Sequence, residues 1–118
     1  MRILLVKPDI SAFSAGLALS ARVAPTDLLT VAASVPRHEC RILDMRLEED
    51  AAFERQLLHE FQPDLVGLTA YSAEAQVTKG LARRVKAVLP HVPVVWGGYH
   101  ATMALDDVLD EPCVDFVV

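Results

Sequence analysis

The side chains able to do chemistry cluster behind apolar runs. "LTAYS" (Leu68–Ser72) sets Thr69, Tyr71 and Ser72 at the end of one run, and "GGYH" (Gly97–His100) sets Gly97, Gly98, Tyr99 and His100 at the end of another. "PDIS" (Pro8–Ser11) follows a third, and Asp44 closes a fourth. Hydroxyls and an imidazole suit hydrogen bonding to a polar ligand. No nucleophile–base pair is visible in the spacing. The glycine pair admits two readings. Without a Cβ it lets a slender group approach the backbone closely. It also suits a bare strand-to-helix turn that needs positive φ.

Several single residues carry a bland reading beside the chemical one. His100 is a metal or cofactor contact, or a polar residue of a loop or helix start. Trp96 is a core side chain or a stacking platform. Tyr71 and Tyr99 touch a cofactor or simply lie at the strand ends. Asp44 caps a helix or contacts a ligand. His38, His59 and His91 read as solvated. Cys40 and Cys113 form no ligand motif and read as buried small hydrophobes. Two free thiols fit a reducing cytoplasm.

The elements that must position these residues alternate in period. A continuous apolar run at Arg2–Lys7 predicts a strand covered on both faces, and a weaker run at Cys40–Met45 with further runs at Asp64–Ala70, Val92–Trp96 and Val114–Val118 predict four more strands. Between them, helical patterns cover Thr26–Val35, Glu49–Phe61, Ser72–Leu89 and Met103–Leu109. Five strands alternating with helices predict an α/β fold, a doubly wound parallel sheet of flavodoxin-like order 2-1-3-4-5. A ligand then sits at the carboxyl ends of the strands, among the loops Pro8–Ala24, Thr69–Ser72 and Gly97–Thr102.

Bulk properties narrow the function. A 118-residue chain that is 53% apolar suits one well-filled domain. Its net charge of −5 argues against a nucleic-acid partner, which calls for a basic face. No run approaches the length of a membrane span, and Lys7, Pro8 and Asp9 interrupt the first apolar run too early for a signal peptide. The segment after the first strand lacks the GxGxxG of a dinucleotide fold, and no GxxxxGK[ST] is present. Thr69, Ala70 and Tyr71 end the third strand where a phosphoryl receiver domain needs an aspartate. A flavin site stays open on topology alone.

In order and spacing, "MRILLVKPD", "APTDLLTVAASV", "RILDM", "PDLVGLTAYS", "VVWGGYHAT" and "VDFVV" resemble the N-terminal cobalamin-binding domain of B12-dependent radical SAM enzymes. That family includes the anaerobic magnesium-protoporphyrin monomethyl ester cyclase and many methyltransferases. The resemblance covers nearly the whole chain. It implies that a corrin ring rests on the strand ends while the nucleotide tail threads a slot beside the sheet. Gly97 and Gly98 would give the tail room, and Thr69, Tyr71 and Ser72 would offer hydroxyls. Pro8, Asp9, Ser11, Asp44, Tyr99 and His100 complete the expected cofactor-binding set.

The loop after the first strand departs from the better-known D-x-H-x-x-G cobalamin motif. Asp9 matches, but Ser11 stands in place of the cobalt-ligating histidine and Ser14 in place of the glycine. The resemblance therefore implies base-off cobalamin with no histidine from this loop, its lower face capped by Ile10–Ala21. It further implies a downstream radical SAM domain using S-adenosylmethionine and a 4Fe–4S cluster. The C-x-x-x-C-x-x-C cluster motif is absent from this sequence, which is expected to be the truncated N-terminal part of a longer protein. On this reading the chain is a binding module and not an enzyme by itself. The competing expectation is a stand-alone flavodoxin-like electron-transfer or regulatory domain, distinguished by whether the reading frame continues into that motif.

Overall fold

The computed structural model describes residues 1–9 and 23–118. Ser11 and the expected Ile10–Ala21 cap lie outside the described residues. Five strands form one parallel sheet in the order β2-β1-β3-β4-β5, as expected. They are β1 (Arg2–Lys7), β2 (Glu39–Asp44), β3 (Leu65–Thr69), β4 (Val94–Gly97) and β5 (Phe116–Val117). The helices are α1 (Thr26–Ser34), α2 (Ala52–Arg55), α3 (Ala75–Val88), α4 (Tyr99–Met103) and α5 (Leu105–Leu109).

Alternation along each strand divides the core between two faces. On one face Leu4, Val6, Val66, Leu68 and Val94 pack against Phe53 and Leu57 of the second helical segment and Leu81 and Val85 of α3. On the other, Ile3 and Leu5 pack against Leu28 of α1. Burial on both sides explains why β1 reads as an unbroken apolar run. A third cluster near the strand ends joins Ala70 and Trp96 to Ala75 of α3, Ala101 of α4 and Val108 of α5. Among the described residues no helix is long and apolar enough to cross a membrane.

The departures from expectation have local causes. β4 begins at Val94 because Pro93 has no N–H to give the ladder, although its carbonyl still accepts from Val66 N–H at 3.0 Å. β5 is shortened to two residues, flanked by Asp115 N–H to Val94 O and Val118 N–H to Trp96 O. α2 starts at Ala52, not Glu49, and passes into a π-helical turn over Gln56–Glu60, closed by Phe61 N–H on Gln56 O at 3.2 Å. The expected loop Gly97–Thr102 and single helix Met103–Leu109 are replaced by α4 and α5. Gly98, at φ 93° and ψ −166°, turns the chain so sharply that helix begins at Tyr99. Ala104, at φ −136° and ψ 53°, breaks the helix in two. Cys40 and Cys113 are half-buried free thiols rather than fully buried ones.

Candidate functional site

The parallel register levels the carboxyl ends of the strands. Lys7 pairs with Asp44, and Thr69 pairs with Gly97. The sheet order reverses between β1 and β3, so the switch point lies between Pro8 and Asp9 after β1 and Thr69–Ser72 after β3. Gly97–His100 lies beside it, after β4. His100 N–H donates to Ala70 O at 2.9 Å and ties the start of α4 to the end of β3.

Gly98 holds the tightest backbone position. A Cβ there would come within 2.5 Å of Thr69 Oγ1, and its φ of +93° disfavours L side chains independently. The turn reading therefore accounts for Gly98, and the group that approaches its backbone is Thr69. Thr69 itself is buried and donates its hydroxyl to Asp27 Oδ2 at 2.9 Å. Gly97 differs. A Cβ there would meet Val118 O at 3.5 Å, an ordinary contact.

The two tyrosines are exposed, with ring centroids 6.1 Å apart at an interplanar angle of 44°. Lys7 Nζ lies 4.8 Å from the Tyr71 ring centroid. Beneath them Lys7 Nζ donates to both oxygens of Glu74, at 2.9 and 2.8 Å. Both side chains are buried, and Glu74 Oε2 also accepts from Tyr71 N–H at 2.8 Å. This pair fixes the 3₁₀ turn Ser72–Glu74, and so Tyr71 and Ser72, against the end of β1.

His100 is buried and both of its ring nitrogens are engaged. Nδ1 lies 3.1 Å from Ser72 Oγ and Nε2 lies 2.9 Å from Asp107 Oδ2. Lys79 Nζ donates to Asp107 Oδ1 at 2.7 Å. The Lys79 and His100 hydrogen bonds together hold the Asp107 carboxyl below the usual carboxylate range. The His100 ring also packs at 5.9 Å on Trp96, which is wholly buried. Trp96 is thus a core residue, and its indole Nε1–H has no partner among the described residues.

Asp44 caps no helix. It accepts from Arg46 N–H at 3.1 Å and from Arg46 Nε at 2.8 Å, and Arg46 in turn donates to Val23 O. Burial pushes the Asp44 carboxyl up, but the Arg46 hydrogen bonds outweigh it and hold the group low. Pro8 is buried at the end of β1, and Asp9 is half-buried beside it. Thr69, Tyr71, Ser72, Gly98, Tyr99 and His100 therefore gather at one edge, with Pro8 and Asp9 after the neighbouring strand β1. Asp44 is committed to the turn after β2. Among the described residues, no three His, Cys, Asp or Glu side chains are placed to hold a metal ion together.

Reading the residues in line missed Lys7, Glu74, Lys79 and Asp107. Glu74 had a local signal, since it stands three positions after Tyr71 in capping-box spacing. Lys7 ends an apolar run, a position from which lysine ordinarily reaches solvent. Asp107 and Lys79 meet His100 only through tertiary packing, so no spacing announces them.

Comparison with known proteins places this geometry. The sequence model of the B12 binding domain matches residues 14–118. The chain is 34% identical to an uncharacterized methyltransferase of Pyrococcus horikoshii, over an alignment covering 100% of this chain and 26% of the relative. It is also 34% identical to hopanoid C-3 methylase of Methylococcus capsulatus, over 75% of this chain and 18% of the relative. The chain thus spans about a quarter or less of the length of the curated relatives it matches. With its five-stranded parallel sheet of order β2-β1-β3-β4-β5, the chain belongs to the B12-binding domain family.

Proposed function

We propose that this domain holds cobalamin in the base-off form, with the corrin on the carboxyl edge of the sheet and the nucleotide tail beside β4. The observation that carries the reading is the convergence of Thr69, Tyr71, Ser72, Gly98 and Tyr99 at that edge in a chain of this family. The donor set fits the group. Cobalamin presents neutral amides, hydroxyls and one phosphodiester, and the edge presents hydroxyls and exposed aromatic rings. Ser72 offers an exposed hydroxyl while that of Thr69 is bonded to Asp27, Tyr71 and Tyr99 offer ring surface, and Gly97 leaves room that a larger residue would fill. Asp9 follows β1 at the same edge, and Ser11 joins the set on the sequence alone. When bound, the corrinoid supplies a cobalt centre able to carry an alkyl group.

The engagement of both His100 nitrogens supports a lower cobalt face without a histidine ligand. Methyltransferase names among the relatives support a role in methyl transfer. In our reading the domain serves a downstream radical SAM domain, which supplies S-adenosylmethionine and a 4Fe–4S cluster. Such a protein works in a reducing cytoplasm, where Cys40 and Cys113 stay thiols.

Electron paramagnetic resonance of Co(II)-cobalamin mixed with the domain tests this. The expected spectrum is base-off and free of nitrogen splitting. A spectrum unchanged from free base-on cofactor contradicts binding. A nitrogen-split signal that disappears in His100→Ala contradicts the histidine-free face.

A further inference from the structure

The Lys79–Asp107–His100–Ser72 chain has a direction. Asp107, bonded to Lys79 at 2.7 Å, is a carboxylate and can only accept hydrogen bonds. The His100 nitrogen facing it, Nε2 at 2.9 Å, must therefore carry a hydrogen. A neutral imidazole has one N–H, which leaves a lone pair on Nδ1. When the ring carries that one N–H alone, Ser72 Oγ, 3.1 Å from Nδ1, donates to it. Its single hydrogen is spent inward, and its remaining capacity, the oxygen lone pairs, faces the exposed side where Ser72 lies. The relay crosses four elements: α3, α5, α4 and the 3₁₀ turn after β3. The Trp96 ring behind His100 and the His100 N–H bond to Ala70 O keep the imidazole in place.

We infer that Asp107 and Lys79 are positioning residues that act through the His100 tautomer to make Ser72 a hydrogen-bond acceptor at the ligand edge, so that the group Ser72 reads is an N–H donor such as a primary amide. The inference rests on the reading that this edge holds the corrinoid, whose periphery is rich in primary amides. A carboxylate at the same place is disfavoured, because two acceptors would face each other.

The first arm uses the protein alone. Imidazole nitrogen chemical shifts of ¹⁵N-histidine-labelled domain at neutral pH should show His100 neutral and protonated on Nε2. In Asp107→Ala, which alters a half-exposed side chain, that preference should weaken, and Asp107→Glu should restore it in part. An Nδ1–H tautomer or a doubly protonated ring in the wild type overturns the inference, because Ser72 would then be free to donate outward. The second arm measures cobalamin affinity. Ser72→Ala should weaken it roughly two- to tenfold, the scale of one hydrogen bond. Asp107→Ala should weaken it by no more than that, and the double variant should be no weaker than Ser72→Ala. Fully multiplicative losses overturn the coupling. If the wild type shows the expected tautomer but binds no cobalamin, the cofactor reading fails while the relay stands, so the two failures are separable.

Discussion

Gly97 and Gly98 are adjacent and do different work. Gly98 sits at φ +93° with Thr69 Oγ1 in the space a Cβ needs, so it answers to the turn. Gly98→Ala should destabilise the domain by about 1–3 kcal/mol, the cost of forcing a side chain into that backbone region. Gly97 meets only Val118 at ordinary contact distance, so Gly97→Ala should leave stability within about 0.5 kcal/mol. Chemical denaturation of the two variants checks the contrast, and equal losses would contradict it. Gly97→Val probes the proposed slot for the tail. Overpacking there by about 1–3 kcal/mol corresponds to a ten- to hundredfold loss of cobalamin affinity. Cobinamide, which lacks the tail, should bind this variant as it binds the wild type. Equal loss of both ligands would mean that Gly97 does not border the tail.

At the scale of elements, the junction of β1, β3 and α3 is held by a buried ion pair. Removing one partner of such a pair strands the other charge and costs about 3–5 kcal/mol. Lys7→Met should therefore be strongly destabilising in urea. Lys7→Met/Glu74→Gln should recover most of the loss, because the Gln carbonyl can still accept from Tyr71 N–H while no charge is buried. A double variant as unstable as Lys7→Met would argue that Lys7 acts through packing alone. The strands were legible as apolar runs separated by helical periods, most plainly β1, which is buried from Ile3 to Lys7, and their order follows from that alternation. The level ends of β3 and β4 follow from that order. What was not legible depends on partners distant in the chain. Helix at Tyr99 required knowing that Gly98 adopts positive φ. His100 required Asp107 and Ser72 on separate elements, although each is an ordinary surface residue type. Asp44 suggested a cap or a ligand contact, but Arg46, two residues on, takes its oxygens.

Over the whole molecule, several carboxyls share one bias. Asp44, Glu54, Asp107, Glu111 and Asp115 are all held below their ordinary values, by arginine, lysine or histidine partners and backbone N–H groups that outweigh burial where burial opposes them. A carboxyl depressed in the folded state contributes its full stability above its unfolded pKa and loses it as pH falls toward the folded value. Thermal melts should therefore be flat from neutral pH to about pH 5 and fall steeply below about pH 4.5. A melting temperature that holds or rises down to pH 3 would contradict these pairings. The central claim is that the carboxyl edge of this sheet binds cobalamin through both ring and tail. Absorption-monitored titration of the domain with hydroxocobalamin, beside the same titration with cobinamide, tests it most directly. The account predicts saturable binding of both, with cobalamin tighter. No saturation with millimolar hydroxocobalamin, or cobinamide binding as tightly as cobalamin, would contradict it.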